Sequence, residues 1–257
     1  MDDLTVCLLQ SDIVSDDPDA NLRLLEGYLD SAEPFDLAVL PEVFTTGFHP
    51  RARQHAEVMD GRVCAWLGEQ ARQRQAAITG SVVMKTAEGF YNRMLWAPDD
   101  APLSFYDKRH LFRMAGEHER YLMGQRRVVI PYRGWRFLLQ VCYDLRFPVF
   151  SRNRGDYDAV IYVANWPEAR HQHWRSLLQA RAIENLSYVI GVNRAGVDAY
   201  GQSYAGGSVI VAPDGELILD AGRDAVCVSA PLSASRLCEY REAFPAHLDA
   251  DDFSLQD

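Results

Sequence analysis

The segment Gln140-Val141-Cys142-Tyr143-Asp144-Leu145-Arg146-Phe147-Pro148 carries most of what the sequence says about fold. Upstream, Trp135 to Val141 is apolar, aromatic and β-branched over about the usual strand length of ~5–6 residues, so a buried strand is expected. Pro148 has the fixed φ suited to a first helical turn, and a helix is expected through Val149-Phe150-Ser151. A cysteine where a strand becomes a helix is lifted off the sheet edge, the geometry that exposes nucleophiles in α/β hydrolases. Helix amides behind it would favour its thiolate. From this segment alone, Cys142 can equally be an ordinary core cysteine, since free cysteine is among the most buried residue types.

Outward from that segment the chain alternates strands and helices. Leu4–Gln10 reads as a buried strand. Asp17-Pro18 supplies an N-cap and a first-turn proline, and Leu22, Leu25 and Leu29 mark one face of a helix to about Ala32. Phe35–Pro41 is a second short strand with Glu42 just beyond it. A helix is expected over Arg62–Gln75, then strands at Ala77–Val83 and Tyr91–Ala97, with a further extended piece at Leu103–Tyr106. The polar stretch Asp107–Gln125 reads as a long loop, a length that usually signals function. The second half offers strands at Tyr157–Ala164 and Tyr188–Asn193, a helix over His173–Leu186, and a meander through Ser208–Val211, Leu217–Leu219 and Ala225–Val228. A docked arm is expected from Glu239 to the end. Strand–helix–strand order without a linker or composition break predicts one α/β domain over 1–257, with mixed sheets and helices outside.

Composition narrows the function classes. The 257 residues are 48% hydrophobic and 24% charged, ordinary for a globular enzyme, and the net charge of −10 argues against nucleic acid, which needs a basic footprint. Cys7, Cys64, Cys142, Cys227 and Cys238 are odd in number and scattered, with no CxxC pair, which suggests neither a disulfide framework nor a zinc site. His171 and His173 have no cysteine or carboxylate cluster beside them, so no metal is expected. An acidic N-terminus that runs straight into a strand, with no apolar run near ~18 residues, leads to the expectation of a cytoplasmic chain without membrane association.

Glu42, Lys108 and Cys142 make a workable chemical set. A thiolate attacks a carbonyl carbon, a carboxylate takes the thiol proton and later activates water, and an ammonium with a backbone N–H stabilises the oxyanion. Taken singly, Glu42 could be a loop carboxylate and Lys108 a solvated charge. His110 and His118 raise a Cys–His protease, but the papain-type cysteine motif is absent. Arg146 with Asp144 reads as a structural ion pair, and Arg181 with Glu184, three apart on a helix, as another.

These residues stand in segments that resemble the nitrilase (carbon–nitrogen hydrolase) superfamily, whose catalytic residues are Glu, Lys and Cys in that chain order. The segments are Leu40-Pro41-Glu42, Tyr106 to Phe112, Val141 to Pro148, and Ala164-Asn165-Trp166-Pro167 with Gln179 to Asn185 after it. Within the superfamily the chain looks like the bacterial ω-amidases, which hydrolyse 2-oxoglutaramate or 2-oxosuccinamate. The resemblance implies an α-β-β-α sandwich that forms a homodimer through its outer helices and needs no cofactor. It implies Glu42 as general base, Lys108 and the Tyr143 N–H as oxyanion hole, and Cys142 as the residue that forms a thioester. A second glutamate near the lysine, which many members use to position the substrate amide or assist proton transfer, matches Glu117 as a catalytic residue by its distance from Gly124, with Glu119 as the alternative. For a small-molecule amide with a far carboxylate, Arg170 is a candidate cation, and Phe48, Trp166 and Phe44 are candidate pocket walls. The same three residues would also serve an N-carbamoyl amidohydrolase or a true nitrilase, and a non-catalytic binding protein of this fold is the reading outside the enzyme class.

Overall fold

The structure is a computed structural model and describes residues 1–255. Its first half contributes β1 (Leu4–Gln10), α1 (Pro18–Ser31), β2 (Leu37–Val39), α2 (Arg62–Arg74), β3 (Ala77–Lys85), β4 (Phe90–Ala97) and β5 (Ser104–Asp107). After these come β6 (Val129–Tyr132), β7 (Trp135–Val141), the single turn α3 (Pro148–Ser151), β8 (Ala159–Ala164), α4 (His171–Asn185) and β9 (Tyr188–Asn193). The remainder is β10 (Ala195–Val197), β11 (Ser203–Ala205), β12 (Val209–Val211), β13 (Leu217–Asp220), β14 (Val226–Leu232) and α5 (Ala234–Ala243). Among the described residues, no helix is long and apolar enough to cross a membrane.

Two six-stranded mixed sheets form, in the orders β14-β1-β2-β3-β4-β5 and β13-β12-β9-β8-β7-β6. Each has three parallel strands at its centre, β1-β2-β3 in one and β7-β8-β9 in the other, flanked by antiparallel strands. Side-chain alternation sorts residues into layers. Val6 and Leu8 of β1 face Leu139, Val141, Ile161 and Ile190 of the other sheet. Cys7 and Leu9 face outward, against Leu22, Leu25 and Leu29 of α1 and Val63 and Leu67 of α2. On the opposite side, Val160 and Tyr162 pack against Trp174, Leu178 and Ala182 of α4. The expected α-β-β-α sandwich of two mixed sheets is therefore observed.

Several boundaries differ from expectation for identifiable reasons. Strand β2 is regular only over Leu37–Val39, and backbone bonds to its neighbours run on at both ends: Asp36 N donates to Thr5 O at 2.9 Å and Leu40 N to Thr79 O at 2.7 Å, before Pro41, which has no N–H to donate. The helix expected from Pro148 through Ser151 forms as the single turn α3, and a 3₁₀ segment over Cys142–Arg146 separates it from the strand end. The stretch Asp107–Gln125 holds two short 3₁₀ turns, Arg113–Ala115 and Glu117–Glu119, that no apolar periodicity signals. The arm expected from Glu239 begins inside α5, which Ser233 caps by accepting from Arg236 N, so the first residues of the presumed arm are helical. Arg241 ties this helix to the body by donating to Leu186 O, Tyr157 O and Asp158 at 2.8–2.9 Å. Strand β6 and the separate hairpin β10–β11 lie outside the sequence-derived set.

Candidate active site

The parallel strands of both sheets end on one rim, and the chemistry gathers there, as ligand sites do at the carboxyl ends of strands in α/β sheets. Glu42 follows β2, Lys108 follows β5, Cys142 follows β7 and Asn165 follows β8. The turn that presents Glu42 is pinned to β3: Val43 N donates to Ser81 Oγ at 2.9 Å and Phe44 N to Ser81 O at 3.1 Å. Gly80 is needed beneath it, because a Cβ there would lie 2.7 Å from Leu40 Cβ. Val43 has φ +44°, a conformation that a β-branched residue rarely adopts. Cys142 has φ +47°, the strained turn expected of a nucleophile lifted from a strand end. Such strain, of order 1–3 kcal/mol each, persists where surrounding structure over-determines it and clusters at functional sites.

Behind the rim lies a fully buried ion cluster. Lys108 Nζ donates to Glu42 Oε1 at 2.9 Å and to both oxygens of Glu117 at 3.0 Å, with all three side chains no more than 1% exposed. Glu117 Oε2 also accepts from Phe112 N at 2.6 Å, which anchors the loop. Of the two candidate second glutamates, Glu117 is the one placed on the lysine; the Glu119 side chain is 72% exposed. Burial disfavours the Lys108 ammonium, but Glu117 and Glu42 outweigh it and hold its pKa well above the ordinary value. Burial pushes the Glu117 carboxyl up, with Lys108 opposing.

Cys142 departs from expectation. Burial, then the charge of Glu42, push its thiol well above the ordinary range, against a smaller opposing effect of Lys108. Any pull from the amides of the short 3₁₀ turn is outweighed. The arrangement suits a neutral thiol that gives up its proton to a carboxylate as it attacks.

A cavity of about 410 Å³ opens over these groups, lined by Glu42, Lys108, Cys142 and Tyr143 together with Phe48, Phe112, Asn165, Trp166, Arg146, Arg170 and Tyr200 among others. Of the expected wall residues, Phe48 and Trp166 line it; Phe48 sits with its ring centroid 5.2 Å from Lys108 Nζ. Phe44 does not, being wholly buried against the helices. The Tyr143 N–H lies in the first turn of the 3₁₀ segment, where backbone donors have no partner within the helix. Arg170 lines the cavity and lies over the Phe112 ring.

Arg146 is not the partner expected for Asp144. It turns into the cavity, stacks over Trp166 at 4.8 Å and meets His173 Nδ1 at 3.1 Å. Asp144 is instead filled by donors from elsewhere. It accepts from Tyr106 Oη at 2.8 Å and from the N–H groups of His110 and Val141 at 2.9 Å, and meets His110 Nδ1 at 2.7 Å. That network fastens the cysteine turn to the lysine strand. The pair Arg181–Glu184 does form, at 2.9 Å. Three asparagines at the site escaped the residue-by-residue reading: Asn92 and Asn165 bond Glu42, and Asn193 holds Trp166 N at 2.7 Å. Asn92 stands beside Arg93 in a strand whose other residues are aromatic or apolar, and that polar interruption was the available signal.

Residues 5–242 match the carbon–nitrogen hydrolase family. The chain is 50% identical to ω-amidase YafV of Yersinia enterocolitica, over 99% of this chain and 100% of the relative. It is 32% identical to a 2-oxoglutaramate amidase of Bacillus subtilis, over 95% of this chain and 96% of that one. A solved structure from Xanthomonas campestris, a CN-hydrolase superfamily protein with an arsenic adduct in its active site, superposes with a TM-score of 0.98 at 46% identity, covering all of both chains.

Proposed function

The chain belongs to the carbon–nitrogen hydrolase family, and from that premise we propose that it hydrolyses the ω-amide of a small 2-oxo dicarboxylic acid monoamide, 2-oxoglutaramate or 2-oxosuccinamate. The observation that carries this reading is one cavity holding both a thiol–carboxylate–ammonium set and two guanidinium groups. Among the described residues, neither Arg146 nor Arg170 is paired with a carboxylate, and either can grip one with two hydrogen bonds. Arg146 thus joins Arg170 as a candidate for the far carboxylate of the substrate.

In this account the Cys142 sulfur attacks the amide carbon while Glu42 takes the thiol proton. The oxyanion is held by the Lys108 ammonium and the Tyr143 N–H. The C–N bond breaks as the nitrogen receives the proton from Glu42, so amide plus thiol gives thioester plus ammonia. Water then gives a proton to Glu42 and adds to the thioester, and the C–S bond breaks as Glu42 returns that proton to the sulfur, releasing the acid and the Cys142 thiol. Glu117 does not line the cavity; its role is to hold and charge-balance Lys108. An N-carbamoyl substrate or a nitrile would use the same groups, and the paired guanidiniums favour a substrate with a carboxylate.

We propose a cytoplasmic location, which five scattered cysteines without a disulfide framework support. Homodimerisation through the outer helices is supported by exposed apolar side chains there, Val149 on α3 and Ile183 on α4. Sedimentation velocity tests it, with a monomer at micromolar concentration as the contrary result. The function itself is tested by ammonia release from 2-oxoglutaramate, glutamine, a β-ureido acid and an aliphatic nitrile. Release confined to the 2-oxo amide is expected; a preference for one of the others would move the specificity elsewhere in the family.

A further inference from the structure

The hydrogen bonds around Glu42 are unequal on its two oxygens. Oε1 accepts from Lys108 Nζ at 2.9 Å and from Asn92 Nδ2 at 2.8 Å, which occupies both of its in-plane lone pairs. Oε2 accepts from the Asn165 backbone N–H at 2.8 Å; the Asn165 amide nitrogen is at 3.5 Å, too far for a good bond. One lone pair of Oε2 is left for a proton.

Both asparagines point nitrogen at the carboxylate at a cost. Asn92 Oδ1 and Asn165 Oδ1 are buried and have no hydrogen-bond partner. Asn92 is 1% exposed and Asn165 4%. A buried carbonyl oxygen without a partner is unfavourable, and such exceptions call for an explanation. Turning the Asn92 amide over would set its oxygen against Glu42 Oε1 and leave a carboxylate lone pair unfilled. Asn165 spends its Nδ2 on Glu42 O at 2.6 Å, so it holds the backbone of the same residue as well.

The geometry points to Asn92 as a positioning residue that saturates Oε1 of Glu42 and so assigns the proton shuttle to Oε2. This rests on the amidase reading of Glu42 but goes beyond it, because it names the atom that carries the proton and the residue that selects it. The charged and titratable groups around Glu42 are Lys108 after β5, Glu117 behind it, Cys142 after β7 and Tyr204 on β11. None of them is altered by a change at Asn92.

Asn92→Leu tests this, because leucine matches the shape and removes both the donor and the orphaned oxygen. Without the donor the protonated carboxyl is favoured, so the acid limb of the kcat/KM profile moves up by about one pH unit. The value of kcat falls about tenfold or more, KM stays within about twofold, and the melting temperature is unchanged or higher. A purely structural asparagine predicts the reverse pattern: reduced thermal stability with the acid limb unmoved. A second readout needs no turnover. The carboxyl ¹³C signal of Glu42, assigned by its loss in Glu42→Gln, should titrate at higher pH in Asn92→Leu than in the unaltered protein. An unshifted titration and unchanged kcat would overturn the inference. Failure of the amidase reading would show instead in the unaltered protein, as no ammonia from 2-oxoglutaramate, while the ¹³C titration still decides the role of Asn92. Should Asn92→Leu not fold, Asn92→Ser is read on the same axes.

Discussion

The Glu42 carboxylate accepts a hydrogen bond at 2.8 Å from the backbone N–H of Asn165, a residue 123 positions later whose strand belongs to the other sheet. One oxygen of the proposed base is therefore fixed by the second sheet, and the other by Lys108 and Asn92 of the first. The sandwich must be assembled before the site exists, and the functional consequences follow from that cross-sheet closure.

Glu42→Gln should move two observables in opposite directions. Amide turnover falls by about a thousandfold, within the ~10²–10⁴ typical of general acid–base groups. Alkylation of Cys142 by iodoacetamide becomes faster at a given pH, because a negative charge that raises the thiol pKa is removed. Peptide mapping of the labelled protein measures the second effect. Slower alkylation in the variant would contradict the electrostatic account of the cysteine.

Glu117→Gln leaves the buried Lys108 ammonium with a single carboxylate partner. The expected result is a loss in kcat of about a hundredfold, comparable to losing an oxyanion donor, with KM little changed. Glu119→Gln serves as the control and should be silent, since that side chain faces solvent. Equal effects of the two changes would remove Glu117 from the account.

Arg146→Ala and Arg170→Ala report on the far carboxylate. Each is expected to raise KM for 2-oxoglutaramate about ten- to a hundredfold, the equivalent of one charge-assisted interaction. A short aliphatic amide with no carboxylate should be affected little by either. If neither change raises KM for the acid, the cations of the cavity serve another purpose.

Arg241→Ala loosens the C-terminal end of α5, whose Leu237 remains packed in the core. The Arg241 guanidinium serves Leu186 O, Tyr157 O and the mostly buried Asp158 carboxylate, so the loss should be about 1–3 kcal/mol, or about 2–10 °C in melting temperature. The effect depends on pH. Burial pushes the Asp158 carboxyl up, but hydrogen bonds from Arg136 and Arg241 outweigh it and hold the carboxyl below the usual range. A depressed folded-state pKa contributes stability that is present above the unfolded value of ~3.9 and lost as pH falls through the folded one. Melting curves from neutral pH down to about 3 should therefore bring the unaltered protein and the variant closer together in the acid.

Where the sequence was informative, one residue's chemistry decided the local outcome. Leu22, Leu25 and Leu29 repeat at helical spacing, and all three are buried on α1. Glu42, Lys108 and Cys142 were legible because three reactive residue types stood in recognisable segments. The side-chain partners of Asp144 were not legible, because His110 and Tyr106 come from 34 and 38 residues away in chain order and Arg146 offered a nearer cation. The Asp144 carboxylate is filled by Tyr106, His110 and backbone N–H donors in place of that guanidinium, and Arg146 faces the cavity. The resting state of Cys142 also escaped a local reading. Its neighbours along the chain suggest a thiolate, whereas burial first, and then the Glu42 charge brought up from the other sheet, push the thiol above its ordinary range. Asn92 and Asn165 carry no charge pattern at all; only the assembled sheets reveal that both serve Glu42.

The most direct test of the thioester account is an acid quench during turnover of 2-oxoglutaramate, followed by mass mapping of the cysteine-containing peptides. The account predicts a 2-oxoglutaryl group on Cys142 alone, and neither that adduct nor ammonia release in Cys142→Ala. Undiminished ammonia release in Cys142→Ala, or an acyl group on a different cysteine, would contradict it.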